Sequence, residues 1–345
     1  MVAVNYLVID KTSRNTSRAL PFAMIMITFL VLVVGTRSIS HGSDTVRYAE
    51  LFSSFMSWNG NTTMGLRLES GFTFFAKWLS LIFGDIQTVI FFFALMFGMA
   101  WLLTFYVWRR GSSVFFCTFL FISLFYTYNL GGNIIRQGIA IPLGILSMYF
   151  MFVGRRYLSV VFFLVALSFH SSALVLFISA VIVNTYNSKR LFYLALAICT
   201  MVSISGIIDT DFIIRFVTSY TDYGHIVSNY AFDRYDVGFR AEFWAFTMLP
   251  VVAFYFVDEN RMSEIYLKLF SSYILISCLF ILVFNIPFSD RVGVIAWSLI
   301  PLILASFLGN YRYRVLNDRF VFFIIIFLGG LLSFLTVDLM SFGDF

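Results

Sequence analysis

Four short segments carry groups able to hold an anion and move a proton. They are His41-Gly-Ser-Asp44-Thr-Val-Arg47-Tyr48, Asn129-Leu-Gly-Gly-Asn133-Ile-Ile-Arg136-Gln137, Ser168-Phe169-His170-Ser171-Ser172 and Phe288-Ser-Asp290-Arg291. Arg136 and Arg291 suit a phosphate or pyrophosphate, because the guanidinium fork is planar, bidentate and always charged. The plainer role for Arg136 is to snorkel towards lipid headgroups, and for Arg291 to pair locally with Asp290. Gln137 and the Gly-Gly turn make the surroundings of Arg136 a polar pocket. His170, as neutral imidazole, and Asp44 are the candidate proton acceptors. Glu69 competes with Asp44. A hydrogen-bonded structural histidine and a solvated loop carboxylate are the alternatives.

A longer polar stretch, 209–240, interleaves Tyr220, Tyr223, Tyr230 and Tyr235 with Asp222, Asp233, Arg234, Asp236 and Arg240. Aromatic faces beside bidentate polar groups suit a sugar, which has apolar C–H faces and hydroxyl edges. Arg47, Tyr48, Tyr223, Tyr235 and Arg240 are the candidate glycan contacts, with an interfacial tyrosine belt as the alternative. Asp209-Thr-Asp211 has the spacing of a metal–diphosphate pair, a weak signal in three residues. No phosphate-loop, Gly-x-Ser-x-Gly, His-Glu-x-x-His or Cys-x-x-Cys pattern occurs, so an ATP-driven pump, a serine hydrolase and a zinc protease lack support.

The elements that must position these groups are set by composition. Of 345 residues, 60% are hydrophobic and 12% charged, against about 25% charged in an ordinary soluble domain. Too few charges remain to cover a water-facing surface, and disorder is excluded because so little is polar. Cys117, Cys199 and Cys278 each lie in an apolar run, unlike a disulfide framework. The expected fold is all-α, a polytopic membrane bundle forming a single integral-membrane domain over 1–345. Apolar runs of bilayer length fall near 20–36, 87–108, 113–130, 134–153, 157–183, 191–208, 241–257, 267–286, 292–308 and 320–338.

Lys and Arg in short loops set the orientation. With Lys11, Arg14 and Arg18 inside, two runs break the alternation if each apolar run crosses once. Segment 71–83 is short and carries Lys77, and fits an amphipathic helix in the outer interface. Run 157–183 is long and polar at its centre, and fits a helical hairpin turning at His170. The expected count is then about nine full spans plus the hairpin, or 10–11 membrane segments. Fourteen Lys/Arg against five Asp/Glu fall inside, leaving nine against 13 elsewhere. The net charge of +5 is thus a topology signal, not a nucleic-acid footprint. Outer loop 37–70, the long outer loop 209–240, and all four segments above then share one outward face. Ionisable groups at the ends of apolar spans are costly and mark functional cavities.

Asp44-Thr-Val-Arg47-Tyr48, Arg136-Gln137-Gly138-Ile-Ala140, Phe169-His170-Ser171-Ser172-Ala173-Leu174 and Ser289-Asp290-Arg291 occur in this order. Together they resemble the EpsG-like branch of Wzy-type bacterial polysaccharide polymerases (O-antigen and exopolysaccharide), from the first span to the eighth. The second and third pieces are the most specific. The chain departs at its front, where about 19 residues precede the first span. The resemblance implies a multi-pass protein of the bacterial cytoplasmic membrane, with a cytoplasmic N-terminus and an outward-facing site. It implies glycan transfer from undecaprenyl pyrophosphate to the non-reducing end of another lipid-linked repeat unit, inverting and without metal or cofactor. Arg136, Arg291 and Gln137 would hold the pyrophosphate, and His170 or Asp44 would take the proton. A chain-length regulator and a flippase of the same pathway are the implied partners. A related glycan ligase would use the same donor. A flippase of lipid-linked sugars, the rival without chemistry, should show repeat symmetry and polar groups spread through the midplane, where this chain gathers them on one side.

Overall fold

Apolar side chains cover both the inside and the outside of the helices. The computed structural model describes residues 4–40, 42–57, 69–108, 112–186, 188–207, 238–286 and 289–307. Its helices are α1 (Val4–Gly35), α2 (Ser43–Met56), α3 (Ser70–Phe83), α4 (Ile86–Trp108), α5 (Ser112–Ile122), α6 (Thr127–Gly132), α7 (Ile135–Phe152), α8 (Arg156–Phe169), α9 (Ala173–Thr185), α10 (Lys189–Ser205), α11 (Ala241–Phe254), α12 (Glu264–Leu282), α13 (Ser289–Trp297) and α14 (Ile300–Phe307). A 3-10 turn, Glu259–Arg261, precedes α12.

In α1, Ala23, Ile27, Leu30, Val31 and Val34 recur at helical spacing and are buried, while Phe22, Ile25, Phe29 and Val33 are exposed. A helix in water carries polar residues on its outer face. An apolar outer face needs hydrocarbon against it. The same holds for Phe74, Trp78 and Ile82 of α3 and Leu191, Leu194 and Met201 of α10. This is an all-helical membrane protein. By length and apolarity α4, α7, α12 and the stretch Ser289–Phe307 can cross a bilayer, and Ala19–Gly35, α3, α8, α9 and α11 are shorter apolar helices.

Two expectations change in detail. The run 113–130 is divided into α5 and α6 by a turn at 123–126, where Ser123 donates its hydroxyl to the Phe119 carbonyl. The stretch 37–70, expected as loop, holds α2, whose Tyr48, Ala49, Leu51 and Phe52 form a buried face. The run expected at 320–338 lies outside the described residues.

Helix α7 sits between α4, α8 and α9. It runs unbroken through Pro142, whose carbonyl accepts from Thr104 Oγ1 of α4 at 3.0 Å. Helices α8 and α9 form the hairpin expected at His170. Phe163 and Phe177, equidistant in sequence from His170, stack at 4.1 Å. The feet of the hairpin stand with the other basic loops: Lys189 pairs with Glu259, and Lys268 Nζ donates to Asn184 Oδ1 at 3.2 Å. Tyr266 OH reaches the Trp108 carbonyl at that same end. An aromatic cluster centred on Trp297 anchors α13: Phe243, Phe246, Phe280 and Phe125 lie 5.2–5.4 Å from its ring. Trp297 Nε1 donates to Thr247 Oγ1 at 2.9 Å, so the polar edge of the ring is satisfied as well.

Candidate functional site

Four helix N-termini meet at the end opposite the hairpin feet. Arg136 lies in the first turn of α7, Arg291 in the first turn of α13 and Asp44 in the first turn of α2, while Glu69 immediately precedes α3. A helix start carries roughly half a positive charge and disfavours cations. Two arginines at two helix starts therefore need anions, and two carboxylates supply them here. Arg136 Nη1 lies 2.5 Å from Glu69 Oε2, and Arg291 Nη2 lies 3.1 Å from Asp44 Oδ2. Gln137 Nε2 donates to the Arg291 carbonyl at 2.7 Å and so joins the two pairs.

Close backbone packing makes this convergence possible. A side chain on Gly138 would overlap the Leu130 carbonyl, so only glycine lets α6 sit against the first turn of α7. A Cβ on Gly71 would fall 2.8 Å from the Ser168 carbonyl. Glycine there lets α3 start directly on the hairpin tip, where Phe75 stacks on Phe169 at 5.6 Å. Asn133 Oδ1 accepts from the Asp44 N–H at 3.0 Å and fixes the start of α2. Arg37 is buried and donates to the Val34 and Gly132 carbonyls, and to Thr45 Oγ1 at 3.2 Å. Burial lowers its guanidinium to about 10, which still leaves it charged at neutral pH. These contacts make Arg37 a clamp on backbone.

Two of the expected site residues are held by contacts within the protein. Tyr48 is 6% exposed, with its ring 6.3 Å from that of Phe52 and 5.4 Å from that of Phe72. No ring face is open to a sugar. Its hydroxyl accepts from Arg136 Nε at 3.3 Å, and burial raises its phenol above the ordinary value. Tyr48 therefore braces Arg136. His170 closes α8, and its Nδ1 accepts from the Ser172 N–H at 3.0 Å. A neutral imidazole that accepts at Nδ1 carries its proton on Nε2. In this arrangement the ring offers a donor at Nε2. Glu69, Arg136 and Arg291 are its electrostatic neighbours.

The remaining candidates divide. Arg47 is largely exposed and lies 3.8 Å from Asp44 Oδ1. Arg240 stacks on Phe243 at 4.0 Å and pairs with Glu242 at 2.9 Å. It is also an electrostatic neighbour of Asp290, beside Arg291. His41, Tyr220, Tyr223, Tyr230, Tyr235 and Asp209-Thr-Asp211 lie outside the described residues. Among the described residues, no three His, Cys, Asp or Glu side chains group as a metal ion would need.

A model of the EpsG family matches residues 21–342. The chain belongs to the EpsG family. No curated protein and no solved structure matches it. EpsG membership, with the apolar helices, gives this membrane protein a polysaccharide polymerase-type, glycosyltransferase-like role. The matched stretch contains Asp44, Glu69, Arg136, Gln137, His170 and Arg291. Of these, sequence reasoning named Glu69 only as a competitor to Asp44. Its pairing with Arg136 joins residues 67 positions apart, and no local pattern announces that.

Proposed function

We propose that this EpsG-family chain polymerises lipid-linked oligosaccharide repeat units on the outer face of the cytoplasmic membrane. The growing glycan leaves undecaprenyl pyrophosphate and joins the non-reducing end of another lipid-linked unit. One observation carries the reading: Arg136 and Arg291 stand in the first turns of two helices at one end of an apolar bundle, tied together by Gln137. Helix starts and guanidinium forks both attract phosphate oxygens. Lipid-linked pyrophosphate is the anion that a membrane-embedded glycan polymerase must hold.

The chemistry asks little more of the protein. The donor is activated by its own leaving group, so neither nucleotide nor metal is required. As the glycosidic bond breaks, negative charge grows on the departing pyrophosphate, and the two arginines stabilise it where it forms. The Nε2–H of His170 adds a donor to the same cluster. Attack from the opposite side in one displacement inverts the anomeric centre. Arg47, Arg240, Tyr223 and Tyr235 are the proposed glycan contacts. The depth of the site suits a lipid headgroup: α8 has 14 residues, so it rises about 21 Å at ~1.5 Å per residue, short of the ~30 Å hydrocarbon core. The reacting groups then sit below the outer surface, within reach of a pyrophosphate whose polyprenyl tail stays in the bilayer.

The test is reconstitution. Purified protein in lipid nanodiscs, given lipid-linked repeat units alone, should make a ladder of longer glycans. A protein that binds these lipids and moves them between leaflets without lengthening any chain would refute the polymerase.

A further inference from the structure

Arg136 and Arg291 each hold a carboxylate, and the two carboxylates differ in what a competing anion would leave behind. Asp44 lies near Arg47 as well as Arg291, at 3.8 and 3.1 Å. If Arg291 turns to a phosphate, Asp44 still faces a cation. Glu69 has one ion pair among the described residues, with Arg136. It sits at the residue before α3 but makes no capping hydrogen bond there; its side chain reaches across to Arg136 instead. It is also partly open to solvent, as is Arg136.

We infer that Glu69 is a placeholder anion that becomes the catalytic base when lipid-linked pyrophosphate takes Arg136 from it. The inference rests on the pyrophosphate reading of the site. In the empty site Glu69 neutralises Arg136 and keeps its fork aligned. The donor's pyrophosphate, with more charge, displaces the carboxylate. Glu69 is then left ionised, without its arginine, and free to turn to the acceptor on the opposite face of the sugar from the leaving group. The oxygen of the acceptor's hydroxyl bonds to the anomeric carbon, and the bond from that carbon to the phosphate oxygen breaks. Its electron pair leaves with undecaprenyl pyrophosphate, and the hydroxyl proton goes to Glu69. Product release returns Arg136 to Glu69, which gives up the proton to water. One residue thus guards the empty site and serves the loaded one, and the base is assembled only when donor is present. Nδ1 of His170 already accepts from the Ser172 N–H, which leaves Glu69 as the carboxylate acceptor beside Arg136.

Glu69→Gln separates these roles. The amide still reaches Arg136 but does not accept a proton at neutral pH. Two quantities are measured on protein in nanodiscs: binding of undecaprenyl pyrophosphate, and chain growth on lipid-linked repeat units. E69Q should bind undecaprenyl pyrophosphate at least as tightly as the native protein while chain growth falls about a hundredfold or more. The acid limb of the native rate–pH profile should vanish from the residual activity. Chain growth at the native rate in E69Q overturns the inference and leaves the polymerase reading intact. Loss of binding and growth together also overturns it, and makes Glu69 a structural support of Arg136. If the native protein neither binds undecaprenyl pyrophosphate nor lengthens chains, the pyrophosphate reading fails and this inference fails with it.

Discussion

The side-chain amide of Gln137 donates to the main-chain carbonyl of Arg291 over 2.7 Å, across 154 positions of sequence. Gln137 is 3% exposed, so this hydrogen bond is a buried strut between the first turns of α7 and α13. Gln137→Leu keeps the volume and removes the strut. Stability should fall by ~1 kcal/mol, the net worth of such a bond. Chain growth should fall roughly tenfold, equivalent to ~1.4 kcal/mol in the barrier, because the two arginines lose their spacing. Thermal unfolding and ladder formation check this, and an unchanged rate would show that the spacing does not matter.

The arginines are expected to act through their forks as well as their charge. Arg136→Lys and Arg291→Lys retain a cation but lose bidentate geometry, and should each slow chain growth by about tenfold or more. The alanine variants should lose about 10²–10³. Arg156, exposed at the start of α8, serves as the comparison, and its lysine variant should polymerise normally. Full activity in Arg136→Lys would reduce that site to a point charge.

His170→Asn tests the hairpin tip. The Asn Oδ1 can accept the Ser172 N–H in place of Nδ1, so the turn should persist and the melting temperature should hold. The Nε2–H donor is lost, and chain growth should fall by up to about a hundredfold. A native rate in this variant would confine His170 to shaping the turn.

Cysteine labelling tests the hairpin itself. Cys117, Cys199 and Cys278 are buried, so background labelling in intact cells should be low. A cysteine at Lys189 should react with an impermeant maleimide only from the cytoplasmic side. One at exposed Ser171 should react from outside. Labelling of Lys189→Cys from outside would overturn the proposed orientation.

Composition and periodicity determined that this chain is an all-helical membrane protein, because covering so much apolar surface leaves no choice of solvent. The hairpin was legible too: positive charges on both sides of one long apolar run, with Ser-Phe-His-Ser-Ser at its centre, demand a turn there. Arg136, Gln137, Arg291, Asp44 and His170 were legible as residues, since polar groups at the ends of apolar runs stand out. Their relations were not. That Glu69 holds Arg136, that Gln137 joins the two arginines, that Tyr48 is a buried brace and that Nδ1 of His170 is already taken all depend on which helix starts meet. That meeting is decided by packing, such as the collisions that Gly71 and Gly138 avoid and the aromatic cluster around Trp297. Hydropathy sets which residues enter the bilayer, but it is nearly blind to azimuth in a helix apolar on every side. Only tertiary packing selects the neighbours, and with them the arginine that each carboxylate holds.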